Sequence, residues 1–444
     1  MNKFKQIWSN LQSNFWFRPL LIVLFSIALA IGLIKVDSAG SDLWLAQWSL
    51  MFGAGPEGAR TMMSTIAGSM MTVVGVMFSM ILVVLALASS QYTSRILNNF
   101  IRNRITQVVF GIFAGIFTYC LIVLRTIRGG EIGFVPGMAV FFGFALALGG
   151  IGALMFFIHH IASSIQASSI ISSVAQETIA AVDRLFPEKL GEDSNKDEDE
   201  QSHLIRNNWH AIAAWESGYI QYMNNEALLR LAREQKTIVM MKYGIGEFVV
   251  QNTTLASLAM KQPPNDETIA ALQASFIINS HRKVEQDVNF GIRQIVDVAL
   301  KALSPGVIDT TTAVMCVDYL TTILARIAPR QIPTSHHYEK GTLRMITKDP
   351  NFESLLAESF DQIRFSAKGD VAIISRMLYA FKTLAELTSS PLRRQALHEQ
   401  VQLIAEQAKR TLESPHDSEK INVLLEQVRE ALNADPVVCA DERK

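Results

Sequence analysis

No charged residue lies between Arg60 and Arg95. The 34 residues between them would make a helix about 51 Å long, well beyond the roughly 30 Å hydrocarbon core of a bilayer. Such a run commits the chain to a membrane, as a span with a helical overhang. It also carries a pattern, because Thr65, Gly68, Thr72, Gly75 and Ser79 recur every three or four positions and share one narrow face. One reading is close helix packing, for which small residues are the usual means in membranes. The other is the wall of a pore in an oligomer, where hydroxyls and glycine-exposed backbone face water.

Three further apolar runs accompany this one, so the expected spans are about 19–36, 62–88, 105–124 and 132–158 within a transmembrane domain over 1–160. Lys3, Lys5 and Phe15-Trp16-Phe17 suit the headgroup layer before the first span. Trp44 and Trp48 share a face of a short interfacial helix that Gly53 and Gly55-Pro56 would end. Gly111 and Gly115 in the third span, and Gly149, Gly150 and Gly152 in the fourth, are further small-residue sets suited to packing. The span cores lack Asp, Glu, Lys and Arg, which argues against coupled transport. Six cations flank the N-terminus and second loop against four in the first and third, which places both termini in the cytoplasm.

Apolar positions from Ile158 to Leu185 keep a helical spacing without Gly or Pro, so the spacing predicts a continuous connector helix over 161–186. His159 and His160 stand where the fourth span leaves the membrane. Adjacent histidines point about 100° apart on a helix and cannot both bind one metal there unaided. They are an interfacial anchor or, alternatively, a pH-responsive gate. An acidic linker follows over 187–202, with Asp197-Glu198-Asp199-Glu200.

The remainder reads as a small α+β subdomain over 203–262 and a helical domain over 263–444, which is expected to lie in the cytoplasm. Gly218–Tyr222 suggests a strand and Asn225–Gln235 a helix. The runs at Thr237–Met241 and Glu247–Val250, around Gly244 and Gly246, suggest a hairpin. From Asp266 onward the pattern is helical. Gln286, Asp287, Arg293 and Asp297 are a candidate polar pocket, or alternatively a buried structural network. No Gly-rich phosphate loop, metal-spaced His/Glu set or nucleophile elbow occurs, so no catalytic residue, metal or cofactor is expected and an enzyme is not predicted. Cys120, Cys316 and Cys439 are far apart and form no Cys-x-x-Cys pair. A net charge of −1 argues against nucleic acid.

Several strings together resemble the bacterial predicted membrane proteins grouped as domain of unknown function 2254. They include Ser64-Thr65-Ile66-Ala67-Gly68-Ser69, Ser89-Ser90-Gln91-Tyr92, Phe157-Ile158-His159-His160-Ile161, Phe290-Gly291-Ile292-Arg293-Gln294 and Ala302-Leu303-Ser304-Pro305-Gly306. Where the resemblance implies Asn-Asp-Pro after that last turn, this chain has Ile308-Asp309-Thr310. It implies an inner-membrane protein with four spans and a soluble C-terminal domain, and no activity. The fold expected is mainly α: a four-helix transmembrane domain followed by an α+β, mostly helical, soluble domain. The functional expectation is an oligomeric ion channel or pore with a cytoplasmic regulatory domain. The alternative is a membrane-anchored sensor or scaffold whose domain binds a ligand or protein. The expected partners are the lipid bilayer, further copies of the chain, and an unidentified ion or small molecule.

Overall fold

The computed structural model describes residues 16–38, 55–91, 104–128, 134–164, 166–186, 208–332, 335–339 and 341–434. The expected interfacial helix at Trp44 and Trp48, the basic turn with Arg95 and Arg102, the acidic linker and Cys439 lie outside them. The chain divides into two compact units, Met1–Gln166 and Ala167–Lys444.

Among the described residues the first unit holds four helices long and apolar enough to cross a membrane: α1 (Phe17–Ser38), α2 (Gly55–Gln91), α3 (Arg104–Thr126) and α4 (Gly137–Ser164). Helix α3 is the central one and packs on the other three. Gly111 and Gly115 explain how α1 comes so close, since a Cβ at Gly111 would sit 2.7 Å from Ile22 Cδ1 and one at Gly115 2.5 Å from Ser26 Oγ. Met63, Phe113, Tyr119 and Phe157 fill the interior, while large apolar residues such as Phe25 and Met155 point outward, as a lipid-facing surface requires.

One end of this unit is tied by polar contacts. Asp37, at the end of α1, accepts from the N–H groups of Met138 (3.1 Å) and Ala139 (3.0 Å), and so caps α4. Arg60 donates to the Ile127 carbonyl at 3.1 Å, and Tyr119 Oη donates to that of Ala139 at 2.7 Å. Two boundaries differ from expectation for these reasons. Helix α4 starts at Gly137, where the cap acts, and residues 134–136 before it are not helical. Helix α2 opens at Gly55-Pro56, ahead of the expected start at 62, because proline fits the first helical turn.

The second unit begins with α5 (Ala167–Leu185). Of the connector expected over 161–186, residues 161–164 belong to α4 and 167–185 to α5, and residue 165 lies outside the described residues. An α+β region follows, with β1 (Trp209–Ala213), β2 (Gly218–Met223), α6 (Asn225–Glu234), β3 (Val239–Met241), β4 (Phe248–Val249), β5 (Thr254–Ala259), α7 (Asp266–Gln273) and β6 (Phe276–Asn279). Then come α8 (Val288–Ala302), α9 (Thr310–Ile327), β7 (His336–Glu339), β8 (Thr342–Ile346), α10 (Phe352–Ala367), α11 (Val371–Leu387), α12 (Pro391–Thr411) and α13 (Pro415–Asn433).

The strands form a five-stranded sheet, β1-β5-β3-β8-β7, and a three-stranded one, β4-β2-β6. The expected hairpin of Thr237–Met241 with Glu247–Val250 is not made. β3 pairs instead with β5 and β8, and β4 with β2, because the turn at Gly244 is pressed against Lys348, whose carbonyl would meet a Cβ there at 2.3 Å. The region beyond Asp266 is likewise not wholly helical, since β6, β7 and β8 complete the two sheets.

Helices α5 and α8 to α13 share one bundle with ends at two levels. Helix α5 is seated within it: a Cβ at Gly291 on α8 would lie 2.0 Å from Thr178 Oγ1 on α5. At one level, arginines cap the C-terminal carbonyls of three helices. Buried Arg330 donates to the Phe186 carbonyl at 2.9 Å, buried Arg393 to that of Ala328 at 2.7 Å, and Arg394 to that of Ala431 at 2.9 Å. At the other level, Asp309 caps α9 by accepting from Thr312 N (3.0 Å), and Asp370 caps α11 while accepting from Thr310 Oγ1 (2.9 Å). Ile308 adopts φ +46°, which a β-branched residue rarely does. Asn there, and Pro at the first helical position, would suit this backbone. The chain keeps only the Asp of the Asn-Asp-Pro pattern, and Thr310 uses its hydroxyl to join two helix starts.

Candidate functional site

All five residues of the α2 stripe, Thr65, Gly68, Thr72, Gly75 and Ser79, face away from the unit that carries them. A Cβ at Gly68 or Gly75 would meet nothing within 4 Å. The opposite face of α2, with Met63, Ile66, Ala67, Met70 and Met77, makes the intramolecular contact. Gly143 and Gly150 on α4 pack internally, against Met63 and Ile116, whereas Gly149 and Gly152 open outward. Thr65 Oγ1 donates to the Thr61 carbonyl at 2.8 Å and Thr72 Oγ1 to that of Gly68 at 3.0 Å. These hydroxyls are thus satisfied within their own helix, as they must be in a dry surrounding, while their oxygens can still accept.

His159 is exposed and His160 half-buried near the end of α4. His160 stacks on Phe156 with ring centroids 6.1 Å apart, and Ser164 Oγ donates to the His160 carbonyl at 2.7 Å. Among the described residues no three metal-ligating side chains converge.

Gln286, Asp287, Arg293 and Asp297 act as braces around the start of α8. Asp287 caps that helix through Phe290 N (2.9 Å) and accepts from two of the three Arg282 guanidinium nitrogens, Nε at 2.8 Å and Nη2 at 2.9 Å. Burial pushes its carboxyl above the usual carboxylate range, against the pull of Arg282. Arg282 in turn covers the Phe290 ring at 5.0 Å. Gln286 Oε1 accepts from Met223 N (3.2 Å), and Arg293 pairs with Asp297 (2.8 Å) and Glu358 (3.4 Å).

A cavity of about 390 Å³ lies elsewhere in this unit, between α9 and α11. Asp318, Thr321, Thr322, Arg376, Tyr379 and Thr383 line it, and an Asp318–Arg376 ion pair forms part of its wall. Sequence reasoning missed it, although the signal is present: Asp318 with Thr321 and Thr322, and Arg376 with Tyr379 and Thr383, recur at helical spacing on helices that are otherwise largely apolar.

The family model described as "Predicted membrane protein (DUF2254)" matches residues 12–383. An uncharacterized protein of Mycobacterium bovis and one of Mycobacterium tuberculosis are each 29% identical to this chain over 428 residues, covering 94% of it and 80% of the relative. No solved structure matches the chain.

Proposed function

We propose that this chain, which belongs to the DUF2254 family of predicted membrane proteins, works as an oligomeric pore. In this reading copies meet along α2, the stripe lines the shared path, and the C-terminal unit regulates it from the cytoplasmic side of an inner membrane. The observation that carries the reading is the direction of the stripe. Small residues that served packing within one chain would face inward, as Gly111, Gly115 and Gly143 do. Those on α2 leave an open, narrow, hydroxyl-bearing groove on the outer surface, into which another helix or water fits.

Purified protein in liposomes is the test. Ion flux is expected, with Thr72→Leu or Ser79→Leu abolishing it while the oligomer persists. Flux indifferent to both changes, or a monomer that conducts nothing, overturns the reading.

The cavity between α9 and α11 favours a second reading, a membrane-anchored sensor. Its hydroxyls, phenol and ion pair suit a small polar molecule. Thermal stabilisation of the full chain across a panel of nucleotides and metabolites, lost in Thr321→Leu, supports it. A flat response counts against it.

A further inference from the structure

The α8–α9 loop exposes two apolar side chains, Val307 (51%) and Ile308 (73%), and the last turns of α10 expose Phe365 (79%). The loop is firmly held: Val307 N and Ile308 N donate to the Ser304 carbonyl at 3.0 and 3.2 Å, and Asp309 N to that of Ala302 at 2.8 Å. An isoleucine fixed at positive φ and pointing into solvent is an odd choice for an aqueous turn, where Asn or Gly serves better.

The bundle geometry locates this loop. Arg184 at the end of α5 donates to the Glu285 carbonyl just before α8, so α5 and α8 run in opposite directions. Thr178 meets Gly291, and about 16 Å of helix leads from Thr178 back to Ala167 and from Gly291 on to Ala302. Asp183 pairs with Arg326, and about 24 Å leads from Asp183 to Ala167 and from Arg326 to Thr310. The loop joining Ala302 to Thr310 is therefore level with Ala167. The Thr310–Asp370 bond brings the turn after α10, and with it Phe365 and Lys368, to the same level.

Ala167 is three residue steps past the end of α4, a reach of about 11 Å by any path. Helix α4, with 28 residues, is about 42 Å long, close to the full thickness of a bilayer with its headgroups. Ala167, which shares its level in the second unit with the exposed apolar tip, is thus tethered within reach of the headgroup layer. Lys301 in the last turn of α8 and Lys368 flank the apolar tip, as cations flank interfacial anchors. Glu413 and Asp417, at the α12–α13 corner, keep the remainder of that level polar.

We propose that Val307, Ile308 and Phe365 form a membrane-contacting edge that enters the headgroup–acyl boundary of the bilayer spanned by the preceding helices. The proposal does not depend on whether the protein conducts.

The experiment uses the full chain with Cys439→Ser in vesicles of phosphatidylethanolamine and phosphatidylglycerol, the buried Cys120 and Cys316 being unreactive while it is folded. A spin label is placed at Ile308→Cys, at Phe365→Cys, or at Val250→Cys by the sheets as an exposed reference. Labels at 308 and 365 are expected to show an oxygen-to-nickel-chelate accessibility ratio severalfold above that at 250. Ratios equal to the reference overturn the proposal. Labels immobilised and shielded from both reagents also overturn it, because protein, a second copy included, then covers the tip. Two independent label sites keep the test decisive if one variant fails to fold.

Discussion

Gly291→Ala tests whether α5 is part of the C-terminal core. The added methyl would fall 2.0 Å from Thr178 Oγ1, 2.8 Å from its Cγ2 and 2.9 Å from its Cβ, and Thr178 is fully buried. Overpacking of this kind costs about 1–3 kcal/mol, against a gain of roughly 0.5–1 kcal/mol for replacing glycine within a helix. The net loss is about 1–2 kcal/mol, a five- to thirtyfold rise in the open population. Cys316 on α9 supplies the assay. Its thiol is buried, and that burial, aided by Asp309 and Asp318, pushes its pKa up, so a thiol reagent labels it only when the unit opens. Labelling in Gly291→Ala is expected to quicken five- to thirtyfold. Thr178→Ala removes Oγ1 and Cγ2, and the double variant is expected to recover about 1 kcal/mol relative to the sum of the singles. Wild-type labelling in Gly291→Ala, or strict additivity in the double variant, refutes the seam.

Ile308→Asn, with the protein in detergent, should slow Cys316 labelling about fivefold, because it relieves roughly 1 kcal/mol of left-handed strain. Arg393→Met loses both the cap on α9 and the guanidinium over the Phe352 ring, and should quicken labelling roughly thirtyfold, from about 2 kcal/mol for a charge-assisted bond. Burial pulls the His337 pKa down, helped by His336 and opposed by Asp349, so the unfolded chain takes up a proton that the folded chain resists. The urea midpoint should therefore hold above about pH 6.5 and fall as pH drops below it, and His337→Gln should flatten that fall. Asp309, held low chiefly by the Thr312 hydroxyl, should extend the decline below about pH 4.

The four spans were legible because a bilayer demands long uncharged runs, and α2 declares itself by length alone. The spacing of the stripe was legible too, but not its direction. Periodicity shows which residues share a face, whereas only the packing of Met63, Ile66 and Met70 shows which face is turned inward. Strand pairing was harder. β5 contributes Thr254–Ala259, a run with little alternation because both faces are largely covered, and β8 joins β3 from about a hundred residues away. At Asp287 and Arg293 the sequence left a pocket and a structural network both open, for an ordinary reason. Charges clustered around a helix start serve as caps and braces as readily as they bind ligands, and sequence spacing is the same in both cases. For the cavity between α9 and α11, the polar spacing on each helix was legible, but the pairing of the two helices that closes it was not.

The cap that Asp37 places on α4 has a consequence for how the molecule is made. The carboxylate waits for partners 101 and 102 residues further along the chain. At ordinary synthesis rates that interval is about 5–20 s, during which α1 is already in the ribosome's wake while α4 does not yet exist. Until then the Asp37 carboxylate lacks these two partners, and an ionised group at a helix end favours the hydrated surface of the bilayer. Helix α1 can dock on α3 through Gly111 and Gly115 before α4 exists, but the carboxylate at its end is seated only when the start of α4 arrives, so that end closes later than the helix body.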